Sequence, residues 1–207
     1  MNKIAIFDIE SVLLDGEFLP KLAERFGKGK EVHHITLRGL RGEIKWEDGL
    51  KERIELLKGV SEDEAKKVAD SMPYMKGAKE VCSELKKKGY VIIAVTGGFT
   101  IFSERVKREL GIDYLFSNEL IFNDGALHDI APLKVKSDRV EGIEELLVSL
   151  GAKKENVVAV VDGANDMKLF RYAGTRIAFN GQPIVREVAN VIVNSKDLRD
   201  IMKYIVF

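Results

Sequence analysis

Three apolar runs constrain this chain most: Ile4-Ala-Ile-Phe7, Tyr90-Val-Ile-Ile-Ala-Val95 and Val157-Val-Ala-Val-Val161. They are continuous rather than alternating and rich in β-branched residues, as strands of a parallel sheet buried on both faces are. All three stop abruptly in polar or glycine-rich residues. The first ends in Asp8-Ile-Glu10-Ser11, the second in Thr96-Gly97-Gly98-Phe99 and the third in Asp162-Gly163-Ala164-Asn165-Asp166. From residue 77 onward helix and strand patterns alternate, which predicts an α/β fold built on a Rossmann-like parallel sheet. Open sheets of this kind bind ligands beyond the carboxyl ends of their strands, so the three endings should meet in one pocket.

Strand side chains alternate, so Asp8 and Glu10 project toward the same side. Alone, such a pair only terminates a strand. Two carboxylates about 4 Å apart repel by roughly 4 kcal/mol near a protein surface, and a divalent cation resolves that repulsion. The second acidic ending, at Asp162 and Asp166, turns the pair into part of a metal-assisted site. Thr96 with two glycines before a helical pattern at 100 to 110 offers a hydroxyl and close-approaching backbone amides to an anion. A carboxylate nucleophile, further carboxylates for a hard cation, and donors for phosphate oxygens together describe phosphoryl transfer through an aspartyl phosphate.

In order and spacing these motifs resemble the haloacid dehalogenase-like phosphatases, and within them the phosphoserine phosphatases, over nearly the whole chain. The resemblance implies that Asp8 is the nucleophile, Thr96 and Gly97 bind phosphate, and Asp162 and Asp166 form the metal-side acidic motif. It also implies that Glu17 and Arg53 hold an amino-acid substrate by its ammonium and carboxylate; on their own they read as solvated charges on helical faces. Magnesium would bind Asp8, the backbone carbonyl of Glu10 and Asp162, with Asn165 and Asp166 completing the shell. Glu10 would protonate the leaving oxygen and then activate water.

Two residues depart from the family pattern. Glu10 stands where the family has aspartate, and its extra methylene moves the carboxyl by about one bond length. The second departure concerns the lysine that neutralises nucleophile and phosphate in the family. Counting back from Asp162 without gaps through a helix expected at 137 to 150 puts Arg139 at that position, the first candidate, with Lys136 the second and Lys134 also just upstream. Arginine keeps the charge but is bulkier and not a neutral replacement.

After Glu10 about eighty residues precede the next strand, far more than a crossover needs. Helical patterns at 17 to 26, 31 to 41, 46 to 58 and 61 to 70, broken by Gly27, Gly42 and Gly59, predict a small inserted helical cap over 14 to 75 on a core of 1 to 13 and 76 to 207. Ser61-Glu-Asp-Glu64 looks like a capping box. A cap excludes water and selects substrate, and Trp46 is either part of that selection or a packing residue. Leu120 to His128, around Asn123-Asp124-Gly125, predicts a hairpin at the sheet edge.

The 33 basic and 33 acidic residues cancel, which gives no field to attract nucleic acid or an acidic membrane. The one cysteine, Cys82, has no partner for an internal disulfide and reads as a small core residue, and the three histidines form no metal pattern. No apolar run is long enough to span a membrane, so the expected location is cytoplasmic and the expected partner a small phosphorylated metabolite, with a homodimer left open. The cap alone chooses the leaving group. A phosphatase or phosphotransferase for another small phosphorylated metabolite therefore remains an alternative, as does a non-catalytic phosphate- or metabolite-binding protein on the same fold.

Overall fold

The computed structural model describes residues 2–41 and 43–205. Strands β1 (Lys3–Asp8), β2 (Tyr90–Phe99), β3 (Tyr114–Asn118), β6 (Val157–Val161), β7 (Thr175–Phe179) and β8 (Val191–Val193) form one parallel sheet in the order β3-β2-β1-β6-β7-β8. The chain starts in the middle of this sheet and winds outward to both sides, so the strand order reverses at β1. The continuous apolar character of the strands follows from burial on both faces. Ala5, Phe7, Ile92, Ala94, Val158 and Val160 join one apolar cluster, and Ile4, Ile6, Ile93, Val95, Val157 and Ala159 the other. Helices α5 (Ala78–Lys87), α6 (Thr100–Leu110), α7 (Ile143–Ser149) and α8 (Pro183–Val188), with 3-10 helices at Ala164–Tyr172 and Leu198–Tyr204, cover these faces. Cys82 is fully buried within α5, and burial pushes its thiol up to about 12.

Between β1 and β2 lie α1 (Phe18–Arg25), α2 (Gly29–Leu40), α3 (Trp46–Leu57) and α4 (Glu62–Ser71). The two crossings into this helical layer run side by side: Asp15 N–H donates to the Pro73 carbonyl at 2.8 Å and Met75 N–H to that of Leu13 at 2.9 Å. Gly27 and Gly59 adopt φ of 69° and 87°, in the left-handed region that ends a helix cheaply only for glycine. Gly42, the other expected break, lies outside the described residues. Only half of the expected capping box forms. The Ser61 hydroxyl accepts from Glu64 N–H at 3.2 Å, but the Glu64 carboxylate turns away to Arg25 and Lys67.

Three expectations need correction. Strand β2 does not end at Thr96. It runs on to Phe99 with a register shift between Val95 and Phe99, because Asn118 on β3 holds the extension by donating to the Gly97 carbonyl at 2.9 Å. The hairpin β4 (Leu120–Asn123) and β5 (Ala126–Ile130) does turn through Asp124 and Gly125, both at positive φ, as a two-residue type I′ turn requires. It forms its own two-stranded sheet rather than an edge of the main one, because its free backbone groups bond to the end of α3 and the start of α4. Gly59 N–H donates to Leu127 at 2.9 Å, Leu127 N–H to Val60 at 2.7 Å and Glu62 N–H to Gly125 at 2.8 Å. The helix expected from 137 begins only at Ile143, after Gly142 at φ 81°. Residues 134 to 139 are held as a loop, with Lys134 and Val135 N–H both donating to the buried Asn118 Oδ1 at 2.9 Å.

Candidate active site

The register explains why the three motifs meet. Asp8 pairs with Val95, and Phe7 with Val160, so Thr96 and Asp162 emerge on either side of β1 just beyond Asp8, at the strand-order switch. The chain then folds back sharply. Leu13 and Leu14 N–H both donate to the Ile9 carbonyl, at 2.9 and 2.8 Å, and Ser11 takes φ 61°. This turn swings Glu10 over the sheet end, where its Oε1 accepts Phe18 N–H at 2.6 Å. The Asp8 carboxylate is oriented by Ile9 N–H, 2.6 Å from its Oδ1.

A polar cavity of about 100 Å³ opens here, with Asp8, Glu10, Thr96, Gly97, Asp162, Asn165 and Asp166 at its floor and Glu17, Trp46 and Arg53 on the helical side. Thr96 Oγ1 accepts Gly98 N–H at 2.9 Å and donates to Glu10 Oε2 at 3.5 Å, a long bond that a ligand oxygen in the cavity would replace. Gly97 and Gly98 are glycines for reasons of space. A Cβ on Gly97 would lie 2.5 Å from the Trp46 ring, and one on Gly98 would collide with Glu10 Oε2 and with the Phe102 ring. The longer Glu10 carboxyl thus occupies the space that Gly98 leaves free.

The electrostatics are those of acids crowded together. Burial raises the Asp8 carboxyl well above its usual range, reinforced by Asp166 and Asp162. Burial, then Glu17, pushes Glu10 up to about 8, and burial raises Asp162 to about 7. Asp8 and Asp162 thus perturb one another's ionisation, as two acids do where a cation could lie between them. Burial also raises Asp166, against the opposing pull of Lys168.

Among the described residues no three His, Cys, Asp or Glu side chains form a ready-made metal cage. Magnesium commonly takes one or two protein carboxylates with water and phosphate oxygens, and Asp8 and Asp162 on the cavity floor fit that donor set. Asp8 and Asp162 both line the cavity and are both raised by burial, and such an ion would hold them ionised.

The structure does not bring Arg139 into this cavity. Its side chain is 61 % exposed and pairs with Asp138 at 3.3 Å, in an outer groove of about 930 Å³ that also holds Lys136. The cause is the loop that replaces the expected helix: Ser137 is bound to Glu47 and the Asp138 carbonyl to Arg171, so the segment faces outward. Lys134 is exposed and lines neither space. His33, His34 and His128 are exposed and line neither as well.

Sequence reasoning missed three residues here. Asn118 makes four hydrogen bonds and fixes Gly97. Gln182 lines the cavity and accepts Ala164 N–H at 3.2 Å. Lys168 is buried beside Asp166. Only Asn118 carried a signal, as a polar residue closing the run Tyr114-Leu-Phe-Ser-Asn118.

A family model for haloacid dehalogenase-like hydrolases matches residues 2–174. The chain belongs to that family. It is 37 % identical over 206 residues to the phosphoserine phosphatase of Methanocaldococcus jannaschii, covering 99 % of this chain and 98 % of that protein. It is also 37 % identical over 205 residues to that of Wolinella succinogenes, covering 98 % and 100 %. Among solved structures, a substrate-bound phosphoserine phosphatase complex superposes with a TM-score of 0.93 at 36 % identity, covering 100 % of this chain and 99 % of that one. A phospho-aspartyl intermediate analogue of a phosphoserine phosphatase gives 0.91 at 36 %, covering 99 % of both chains. Among the described residues no helix is long and apolar enough to cross a membrane.

Proposed function

We propose that this hydrolase is a magnesium-dependent phosphoserine phosphatase that works through an aspartyl phosphate. The observation that carries the reading is the pairing across one small cavity of Asp8 on the sheet with Arg53 and Glu17 on the helical layer. A phosphate set against Asp8 would leave an amino acid's carboxylate and ammonium to face an arginine and a glutamate. Full-length likeness to phosphoserine phosphatases supports the same substrate.

Asp8 Oδ attacks phosphorus as the bond to the serine oxygen breaks. Glu10, raised to about 8, carries a proton at neutral pH and gives it to that oxygen, a step worth about 100- to 10,000-fold for a poor leaving group. Now ionised, Glu10 takes a proton from the water that cleaves the aspartyl phosphate and so returns to its starting state. Thr96 Oγ1 and the Gly97 amide hold phosphate oxygens, and Asn165 and Gln182 border them. Asp8, Asp162 and the Glu10 carbonyl would hold the magnesium, which when bound would supply charge neutralisation for the phosphate and favour the ionised form of Asp8. Phe18, packed on Phe99 and Phe102 with ring centroids at 6.4 and 5.5 Å, walls the cavity from water.

The test is phosphate release from L-phosphoserine beside p-nitrophenyl phosphate, on the parent protein and Asp8→Asn. Turnover of phosphoserine should fall by at least about 1,000-fold in the variant, as loss of a nucleophile does. Release from the aryl ester alone would keep the chemistry and remove phosphoserine as the substrate.

A further inference from the structure

The cavity gathers five carboxylates, Asp8, Glu10, Glu17, Asp162 and Asp166, against one lining cation, Arg53. A phosphate dianion entering such a place needs more positive charge than a single divalent ion and the one arginine on the helical side provide. The residues expected to supply it, Arg139 and Lys136, face the outer groove.

Lys168 is a different kind of cation. Its side chain is 2 % exposed, and lysine is almost never buried so deeply unless it is paired. It sits in the 3-10 helix Ala164–Tyr172 that follows the acidic motif. The tight turn curls its ammonium back onto that motif, 2.5 Å from the Asn165 carbonyl and 3.0 Å from Asp166 Oδ1. The other Asp166 oxygen accepts from the Asn165 amide, so both oxygens of this carboxylate are already engaged by the protein. Arg171 secures the turn from behind, donating to the Lys168 carbonyl at 3.1 Å and the Asp138 carbonyl at 2.5 Å. The sequence gives no hint of this, because Lys168 in Asp166-Met-Lys-Leu-Phe170 reads as an exposed helical lysine.

We infer that Lys168 is a positioning residue and the fixed counter-charge of the phosphate site. It neutralises Asp166, leaves Asp8 and Asp162 as the carboxylates for the metal, and holds the Asn165 turn against the phosphate oxygens. This rests on the phosphatase reading above, but not on which phosphomonoester is hydrolysed.

The experiment is calorimetric titration of inorganic phosphate at saturating magnesium, with kcat and KM measured alongside. Lys168→Met should weaken phosphate binding about tenfold or more, raise KM and lower kcat. Lys168→Arg, which keeps the charge, should return phosphate affinity to within about threefold of the parent, and Arg139→Ala should leave it unchanged. A folded Lys168→Met with parental phosphate affinity overturns the inference, as does a tenfold loss in Arg139→Ala. If Lys168→Met does not fold, Asp166→Asn is compared with Asp166→Asn/Lys168→Met, where neither charge is left unpaired. Weaker phosphate binding in the double variant supports the inference, and equal binding overturns it. A parent that ignores phosphoserine while these affinity changes persist removes the substrate reading and leaves Lys168 in place.

Discussion

The strand tips and the helical layer above them share one cavity but are built on opposite principles. At the tips, Asp8, Thr96 and Asp166 are all at most 4 % exposed, and backbone hydrogen bonds, register and missing Cβ atoms fix where the reactive groups point. In the helical layer Glu17 is exposed, and ion pairs such as Arg25–Glu64 and Arg38–Glu52 join the helices at positions worth little individually. Yet the layer does not float, since Phe18, Leu50 and Ile54 belong to the same apolar cluster as Phe7 and Phe99. The contrast separates two demands. Chemistry needs atoms held within about an ångström, whereas recognition of an amino acid needs charges that can be reached and then closed over.

The sharpest way to break this contrast is to disturb the tips without touching a reacting atom. In Gly98→Ala the new Cβ collides with Glu10 Oε2 and the Phe102 ring. Displacing the general acid by about 1 Å should lower kcat about 100-fold, while overpacking costs about 1–3 kcal/mol in a denaturant melt. Adding Glu10→Asp withdraws the carboxyl by one bond and should recover part of the loss. Strictly additive kcat losses would show that Glu10 does not depend on the space at Gly98.

On the recognition side, Arg53→Ala should raise KM for phosphoserine about 10- to 100-fold, the usual worth of a charge-assisted contact. The aryl phosphate has no carboxylate, so its KM should barely move. Equal effects on both esters would make Arg53 a structural residue, held by its 3.1 Å bond to the Gly49 carbonyl.

How much of this was legible follows from the same contrast. Buried parallel strands announce themselves as unbroken β-branched runs, so the sheet and the convergence of Asp8, Thr96 and Asp162 could be read directly. The four inserted helices were also legible, through amphipathic spacing and the glycines after them. What failed were placements decided by distant polar contacts. Arg139 was counted along a helix that does not form there, because Asn118 and Glu47 bind that segment as a loop. Lys168 was invisible because its burial depends on a 3-10 turn rather than on an apolar neighbourhood. The hairpin was recognised by its turn residues, but its docking on α3 and α4 arises from backbone groups that every residue carries.

The acids make a prediction about pH. Glu10 and Asp162 ionise near 8 and 7 in the folded protein but near 4 when unfolded. Between those values the folded state binds more protons, so the metal-free protein should lose stability as pH rises from about 4 to 8. Thermal melts in chelator should therefore show a falling Tm across this window. Magnesium should restore it, by more at pH 8 than at pH 5, because the ion replaces the protons. A flat Tm in chelator would mean that the crowding of carboxylates is relieved by some other cation, with Lys168 the first to examine.

The smallest expected effect concerns the place where the two regions touch through polar atoms. Glu47, in the first turn of α3, accepts from Ser137 N–H at 2.8 Å and from Ser137 Oγ at 2.7 Å, which ties the helical layer to the loop before α7. These bonds hold the Glu47 carboxyl below its usual range against the opposing effect of burial. Its neighbour Trp46 lies over Gly97, so this contact keeps an aromatic ring closed above the phosphate-binding backbone. Glu47→Ala should raise KM about three- to fivefold, consistent with a half-buried contact worth about 1 kcal/mol, and leave kcat for bound substrate nearly intact. Glu47→Gln keeps an acceptor for both donors and should behave as the parent. Should Glu47→Ala lower kcat as strongly as Gly98→Ala, the helical layer would be part of the chemical machinery, and the division between rigid tips and closing layer would fail.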